Sequence, residues 1–365
     1  MRFKPLALTL ALTLAATADS FADVPPPPPP PPGAQVAPVF VSPAEQAAIV
    51  DRIGDALAKE FHDPARVPAA RAALKQALQR GQLPREGEAF AGAISEVLRT
   101  SLHDAHAHLA FSPEAIDPKA LEAGPGGPSP ADEMRYTNCG VRRADHYPGN
   151  VAYLRIDGMA PTAPCAATLA SALQVVGQSD ALIIDLRKNR GGSPEMVQWL
   201  ASHFLPPETA LSSMVSVREH ANEGMRTQSG LPGPQLPSVP LYVLVSHDTF
   251  SAGEHFAYDL QQLHRARIVG QASGGGANPG AFRPVHAHFA VWVSLARSVS
   301  PITGGNWEGT GVQPDDVVAD DAATRREAYK LALQALEARN VPSLEPGERA
   351  ALLGDFDTVA KNLGL

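Results

Sequence analysis

Leu241-Tyr242-Val243-Leu244-Val245-Ser246-His247-Asp248-Thr249-Phe250-Ser251-Ala252-Gly253-Glu254 is the stretch on which the fold turns. Five apolar residues in a row read as a strand buried on both faces, and a helix is expected from Ala252 to about His264. Ser251 therefore stands where a strand has ended and a helix begins. Such a serine lies beside unpaired backbone N–H groups and the positive end of the helix dipole, which together can stabilise a developing oxyanion. Serine is equally a favoured helix cap, so the junction alone supports a structural role as well as a nucleophile. The segment is not the Gly-x-Ser-x-Gly turn of α/β-hydrolases.

The same alternation continues on either side. Val151–Ile156, Ala181–Leu186, Ala266–Val269 and Phe289–Ser294 read as strands, and Ala166–Val176, Pro194–Phe204 and Ala322–Ala338 as helices. Strands alternating with helices predict an α/β layer. From Ser42 to about Ser101 apolar residues recur at three- and four-residue steps, which predicts three packed helices. The expected organisation is a leader over 1–22, a proline-rich linker over 23–41, a helical domain over 42–115, an α/β domain over 116–340 and a helical tail over 341–365. A Pro/Gly-rich link, Gly124–Pro130, separates the two main parts.

Composition narrows the possibilities. The chain has 365 residues, 44% of them hydrophobic and 19% charged, which suits a folded protein with more than one domain. A net charge of -8 argues against a nucleic-acid partner, which needs a basic footprint. Met1-Arg2-Phe3-Lys4, an apolar run over Leu6–Ala18 and small residues up to Ala22 form the pattern of a signal peptide. The run is shorter than the ~20 residues needed to span a bilayer, so no stable membrane insertion is expected. The unbroken tract Pro25–Pro32 is a stiff polyproline spacer. Cys139 and Cys165 are the only cysteines; after export, both a disulfide and two buried thiols fit them.

Ligands in open α/β sheets gather at the carboxyl ends of strands. Beside the Ser251 turn, that rule selects Asp185-Leu186-Arg187-Lys188-Asn189-Arg190-Gly191-Gly192, where paired glycines let backbone N–H groups approach a substrate. The Gly-Lys-Ser/Thr ending of a phosphate loop is absent. A third candidate is Leu102-His103-Asp104-Ala105-His106-Ala107-His108, where spacing alone leaves a metal site on His103, His106 and His108, a catalytic base and a solvated turn equally open.

Together these segments resemble the tail-specific (C-terminal processing) and tricorn-core serine peptidase family, in particular its interphotoreceptor retinoid-binding protein-like bacterial branch. The resemblance runs from about Ser42 to Val318. Its pieces occur in the family's order: Asp104-Ala105-His106, Val151–Ile156, Asp185-Leu186-Arg187 with Asn189 and Gly191-Gly192, and Thr249–Glu254. Ile268-Val269-Gly270, Gly275–Gly280 and Asn306–Asp315 follow. The resemblance implies a crotonase-like ββα core behind a small helical bundle. It also implies an exported serine-type peptidase acting on peptides or unfolded proteins, with no cofactor or metal. The stretch between His106 and Val151 is too short for the PDZ domain that many members insert there.

Within that family the nucleophile is activated either by a lysine or by a histidine. Here Gln271–Gly280 holds no lysine, and Lys330 and Lys361 are the only ones after Ser251. The resemblance then implies the tricorn design: Ser251 as nucleophile, His106 as base, Glu308 orienting His106, and the N–H groups of Gly192 and Ala252 as oxyanion hole. Gly191, Gly275 and Gly276 would line the substrate, while His103 and His108 fall outside the motif and read as structural or solvated. A serine needs an adjacent base, and that base a third group to fix its tautomer. The alternative of another class is a non-catalytic binder of hydrophobic ligands such as retinoids or fatty acids, as in vertebrate relatives of that branch.

Overall fold

Helix α1 (Pro43–Glu60) starts where the sequence places it, because Ser42 and Glu45 cap each other reciprocally and Pro43 takes the first helical position. Helices α2 (Val67–Gln79) and α3 (Gly87–Leu102) follow. The structure, a computed structural model, describes residues 38–118, 121, 130–216, 221–343 and 345–365. The expected leader, most of the proline-rich linker and all but the last residue of the Gly124–Pro130 link lie outside them.

Chain order continues with β1 (Leu109–Phe111), α4 (Pro130–Thr137), β2 (Val141–Tyr147), β3 (Val151–Ile156), α5 (Thr162–Val176) and β4 (Ala181–Asp185). Next come α6 (Pro194–Ala201), β5 (Ser213–Ser216), β6 (Ala221–Glu223), β7 (Leu241–Val245), α7 (Ala252–Gln262) and β8 (Arg267–Gly270). The chain closes with β9 (Gly280–His286), β10 (Phe289–Ser294), β11 (Arg297–Val299), β12 (Asp316–Val317), α8 (Asp321–Ala338), α9 (Glu348–Gly354) and α10 (Phe356–Asn362).

The central sheet has six strands in the order β12-β8-β7-β4-β3-β2, all parallel except the antiparallel edge strand β2. Successive side chains on a strand point to opposite faces, and this sheet is covered on both. Leu182 and Ile184 of β4 and Val243 of β7 join a core with Leu169, Leu173, Val197 and Phe256 from α5, α6 and α7. Their neighbours Ile183, Tyr242 and Leu244 pack the other way, against Tyr329, Leu333 and Phe356 from α8 and α10. The expected α/β class is thus the observed one: a mixed central sheet between helices.

The three N-terminal helices do not keep a core to themselves. Ile49, Ile53, Leu74, Phe90 and Leu98 pack with Leu109 of β1 and with Val285, Phe289, Val291 and Val293 of the β9–β10 hairpin, in the antiparallel sheet β1-β10-β9. That hairpin lies late in the sequence, so the helical module shares its apolar interior with a hairpin from the region expected to form the α/β domain. A third sheet, β11-β5-β6, is small and antiparallel.

Several strands escaped the sequence pattern for local reasons. Edge strand β2 is rich in charge, with Arg142, Arg143 and Asp145 exposed or half-buried, a common protection of sheet edges. Strand β9 contains Pro284, tolerated because it too lies at an edge. Helix α5 begins at Thr162 rather than Ala166, with Pro164 in the first turn, where no helical N–H bond is lost.

Cys139 and Cys165 are bonded, with their Cα atoms 5.5 Å apart, which decides the question the sequence left open. The bond ties the turn after α4 to the buried side of α5. It closes a loop with a sequence separation of 26 residues. The Cys139→Ser/Cys165→Ser variant is expected to lose about 2–4 kcal/mol of unfolding free energy, as measured by denaturant titration against the oxidised protein.

Candidate active site

Strands β4 and β7 are parallel neighbours, so the turns leaving their carboxyl ends lie side by side. Side-chain and backbone bonds stitch those turns together: Thr249 Oγ1 donates to Leu186 O (2.8 Å), Ser246 Oγ to Arg187 O (2.7 Å) and Phe250 N–H to Asn189 O (2.9 Å). The glycine turn and the serine turn therefore form one structure. Gly191 has φ +100° and Gly192 φ +134°, values that side chains disfavour, and a Cβ on Gly191 would come within 2.7 Å of Ser251 Cβ.

Ser251 occupies φ +52°, ψ −121° at the start of α7. A non-glycine residue with positive φ stores strain, and such positions cluster at functional sites. The conformation is held by Glu254, whose carboxylate accepts the Ser251 N–H at 2.8 Å. Glu254 is fully buried and also accepts from Ser273 Oγ (2.5 Å), Gly275 N–H (2.6 Å) and Gly276 N–H (2.8 Å). Burial pushes its carboxyl above the ordinary value, against the pull of these donors. One carboxylate thus fixes both the serine and the Gly274–Gly276 wall. Among the described residues the N–H groups of Gly192 and Ala252 donate to no protein acceptor.

His106 lies across the opening from this turn. Its ring packs 4.5 Å from the Phe250 ring and 5.7 Å from Trp292, centroid to centroid, and a Cβ on Gly276 would meet His106 Cε1 at 2.7 Å. Burial holds its imidazole down to about 4, the nearby Asp104 carboxylate acting in the opposite sense. His106 Nδ1 is enclosed and has no hydrogen-bond partner. A ring nitrogen of His106 and carboxylate oxygens of Asp104 and Glu308 lie within 4.8 Å of one another. Glu308 is anchored by the N–H groups of Ala105 (2.7 Å) and Ala277 (2.6 Å). Its carboxyl is pushed up to about 7 by burial and by Asp104. Asp104 in turn accepts from the His106 N–H (2.9 Å) and Asn278 Nδ2 (3.1 Å).

His106, Gly191, Gly192 and Ser251 line one opening, and Ala252 and Gly276 line a smaller recess that Ser251 shares. Glu308 lies beside His106 and Asp104, and Gly275, expected to line the substrate, is buried with its N–H on Glu254. No direct hydrogen bond joins Ser251 to His106 or His106 to Glu308 in this conformation. His103, His106 and His108 do not converge: His103 is an exposed left-handed cap of α3. His108 Nδ1 sits 2.7 Å from the His106 carbonyl, with its ring against Trp292 and Phe282. A cavity of 820 Å³ lined by His106, His108, Arg142, Gly192, Phe250 and Ser251 leads to the serine. Sequence reading quoted Glu254 only as part of a motif and missed its role. The Ser-x-x-Glu spacing of a capping box was the available signal.

Known proteins can be set beside this geometry. Residues 150–318 match the profile of Peptidase family S41. A carboxy-terminal-processing protease of Bartonella bacilliformis (strain ATCC 35685 / KC583 / Herrer 020/F12,63) is 29% identical over 158 residues, 43% of this chain and 35% of the relative. The chain thus matches about a third of the length of that relative. A solved structure from Parabacteroides merdae ATCC 43184, assigned as a peptidase, superposes with a TM-score of 0.52 at 15% identity, covering 80% of this chain and 97% of the other. A lipoprotein from Streptococcus agalactiae gives 0.52 at 15% identity, covering 80% and 96%. These two likenesses concern the fold. The class defined by the matched segment is that of the serine peptidases of family S41. The chain carries that family's segment from Asn150 to Val318.

Two outcomes test the site. Glu254→Leu leaves the N–H groups of Ser251, Gly275 and Gly276 without their shared acceptor. It is expected to cost about 3–5 kcal/mol in a denaturant titration, the range for breaking a buried charged network. A base must be neutral, and burial moves His106 protonation below its ordinary range. In Glu308→Gln, where only the His106 step remains, the rate of fluorophosphonate inactivation is expected to hold as pH falls through 6.5 and to decline towards pH 4. The native protein adds a step near 7 that belongs to the His106–Glu308 pair. An acid limb at 6.5 or above in Glu308→Gln contradicts this assignment.

Proposed function

We propose that the protein is an exported serine-type peptidase that cleaves peptides or unfolded proteins through Ser251, His106 and Glu308. The observation that carries this reading is the strained Ser251 turn, which faces an 820 Å³ cavity together with Gly192 and the buried His106, whose imidazole burial keeps neutral. His106 Nδ1 is its enclosed nitrogen, and the reading assigns Nε2 to the serine. A small closure on substrate brings the base into hydrogen-bond reach, as apo sites often require.

The chemistry then follows from the positions. Nε2 takes the Ser251 proton as Oγ attacks the scissile carbonyl, and the N–H groups of Gly192 and Ala252 receive the oxyanion. Collapse expels the amine with the proton from His106 and leaves an acyl-enzyme. Water activated by the same imidazole releases the acid. Glu308 holds the tautomer and offsets the imidazolium charge. Cleavage takes place in a cavity open enough for an extended chain. The leader pattern over 1–22 and the Cys139–Cys165 bond support a periplasmic or secreted setting, where disulfides persist.

Labelling of the folded protein with a fluorophosphonate tests the nucleophile. The adduct is expected on Ser251, and Ser251→Ala is expected to abolish both labelling and peptide hydrolysis. Loss of the base in His106→Ala should slow hydrolysis by about 10²–10⁴. A native protein that forms no adduct and cleaves no peptide belongs instead with the hydrophobic-ligand binders.

A further inference from the structure

A second, smaller cavity of 140 Å³ opens on the other side of the nucleophile. It touches Gly192, Ser251 and Ala252, and its walls include Met214, Pro279, Trp292 and Trp307. The polar side-chain groups on it besides Ser251 are Ser298, His255 and the indole N–H groups of Trp292, which has no partner, and of Trp307, which donates to Gly276 O at 2.8 Å. Ser298 Oγ already donates to Ala277 O at 2.7 Å. His255 is different. It lies one helical turn after Ser251 on α7, is 3% exposed, and stacks on Trp307 with ring centroids 5.5 Å apart. Its Nε2 sits 3.1 Å from the Asp259 carboxylate, off the line of an ideal hydrogen bond. Asp259 is itself buried and fixed by the N–H (2.9 Å) and Oγ (2.5 Å) of Ser212.

A carboxylate held by two Ser212 donors keeps a proton on the nitrogen that faces it, so His255 Nδ1 is the ring atom left for a ligand. That nitrogen accepts when the ring is neutral and donates when it is charged. A hydroxyl can do either, whereas a methyl can do neither. The acyl residue of a substrate has its Cα one bond from the carbonyl carbon, so with that carbonyl at Gly192 and Ala252 its side chain must enter the nearest recess. The larger cavity has 820 Å³; the smaller one, at 140 Å³, has room for a single short side chain.

Resting on the peptidase reading above, we infer that His255 is a specificity-determining residue: with Asp259 behind it, it selects a substrate whose acyl residue has a small hydroxyl-bearing side chain, threonine or serine. The apolar walls take the methyl or methylene and His255 takes the hydroxyl. A polar group paired in this way discriminates against an isostere that leaves it unsatisfied.

Peptidyl diphenyl phosphonates test this, because they inactivate the serine through a side chain that mimics the acyl residue. Valine and threonine forms differ by one methyl-for-hydroxyl exchange. The native protein is expected to react on the order of tenfold faster with the threonine form, and His255→Phe to lose or reverse that ratio. An equal or faster rate with the valine form in the native protein overturns the proposal, even if the variant does not fold. A ratio that survives in folded His255→Phe overturns it as well. Absence of a Ser251 adduct with both phosphonates and with a plain fluorophosphonate brings down the peptidase reading, and this pocket assignment with it. Fluorophosphonate labelling without a threonine preference brings down the pocket assignment alone.

Discussion

A single buried carboxylate, that of Glu254, holds the site in shape. It takes the N–H groups of Ser251, Gly275 and Gly276 and the Ser273 hydroxyl, so four donors from two chain segments converge on one residue with no exposure. Burying an unpaired charge is costly; burying one with this many donors turns it into a template. The strained backbone of Ser251 persists because this template over-determines it. Ser273 extends the same network, accepting the Val312 N–H at 2.6 Å and so reaching the segment that bears Glu308.

Placement of the two functional turns depends on sheet topology rather than on sequence neighbourhood. Because β4 and β7 run parallel and adjacent, the Asn189–Gly192 turn and the Ser251 turn end at the same level, and the backbone bond from Phe250 to Asn189 locks them. The histidine comes from elsewhere. It follows α3, whose apolar face packs with β9 and β10, and Trp292 of β10 supplies one side of the His106 enclosure. The helical module therefore contributes to the site by anchoring a histidine that the α/β part does not itself contain.

How much of this could be read from the residues follows from the range of each interaction. Strands β3, β4 and β7 are buried on both faces, so their apolar runs announce them, and α1 carries its cap in the local sequence. Charged β2 and proline-containing β9 hide because edge strands need neither an apolar run nor every backbone bond. In the site, Ser251, His106, Glu308 and the glycines were named from ordered motifs; His106, Gly191, Gly192 and Ser251 share one cavity, Glu308 lies beside His106, and Gly275 is buried under Glu254. The shared apolar interior of helices and hairpin, the Glu254 template and the His255–Asp259 pair were not visible. Each depends on contacts between distant segments, for which one sequence offers no periodicity to read.

The bond from the Ala105 N–H to the Glu308 carboxylate spans 203 residues. Contacts of that range form late, since the loop they close must be ordered before they stabilise anything. The three helices that precede the histidine pack in turn on the β9–β10 hairpin. The same long-range closure that ties the two ends of the fold together also brings Glu308 to the segment that carries His106.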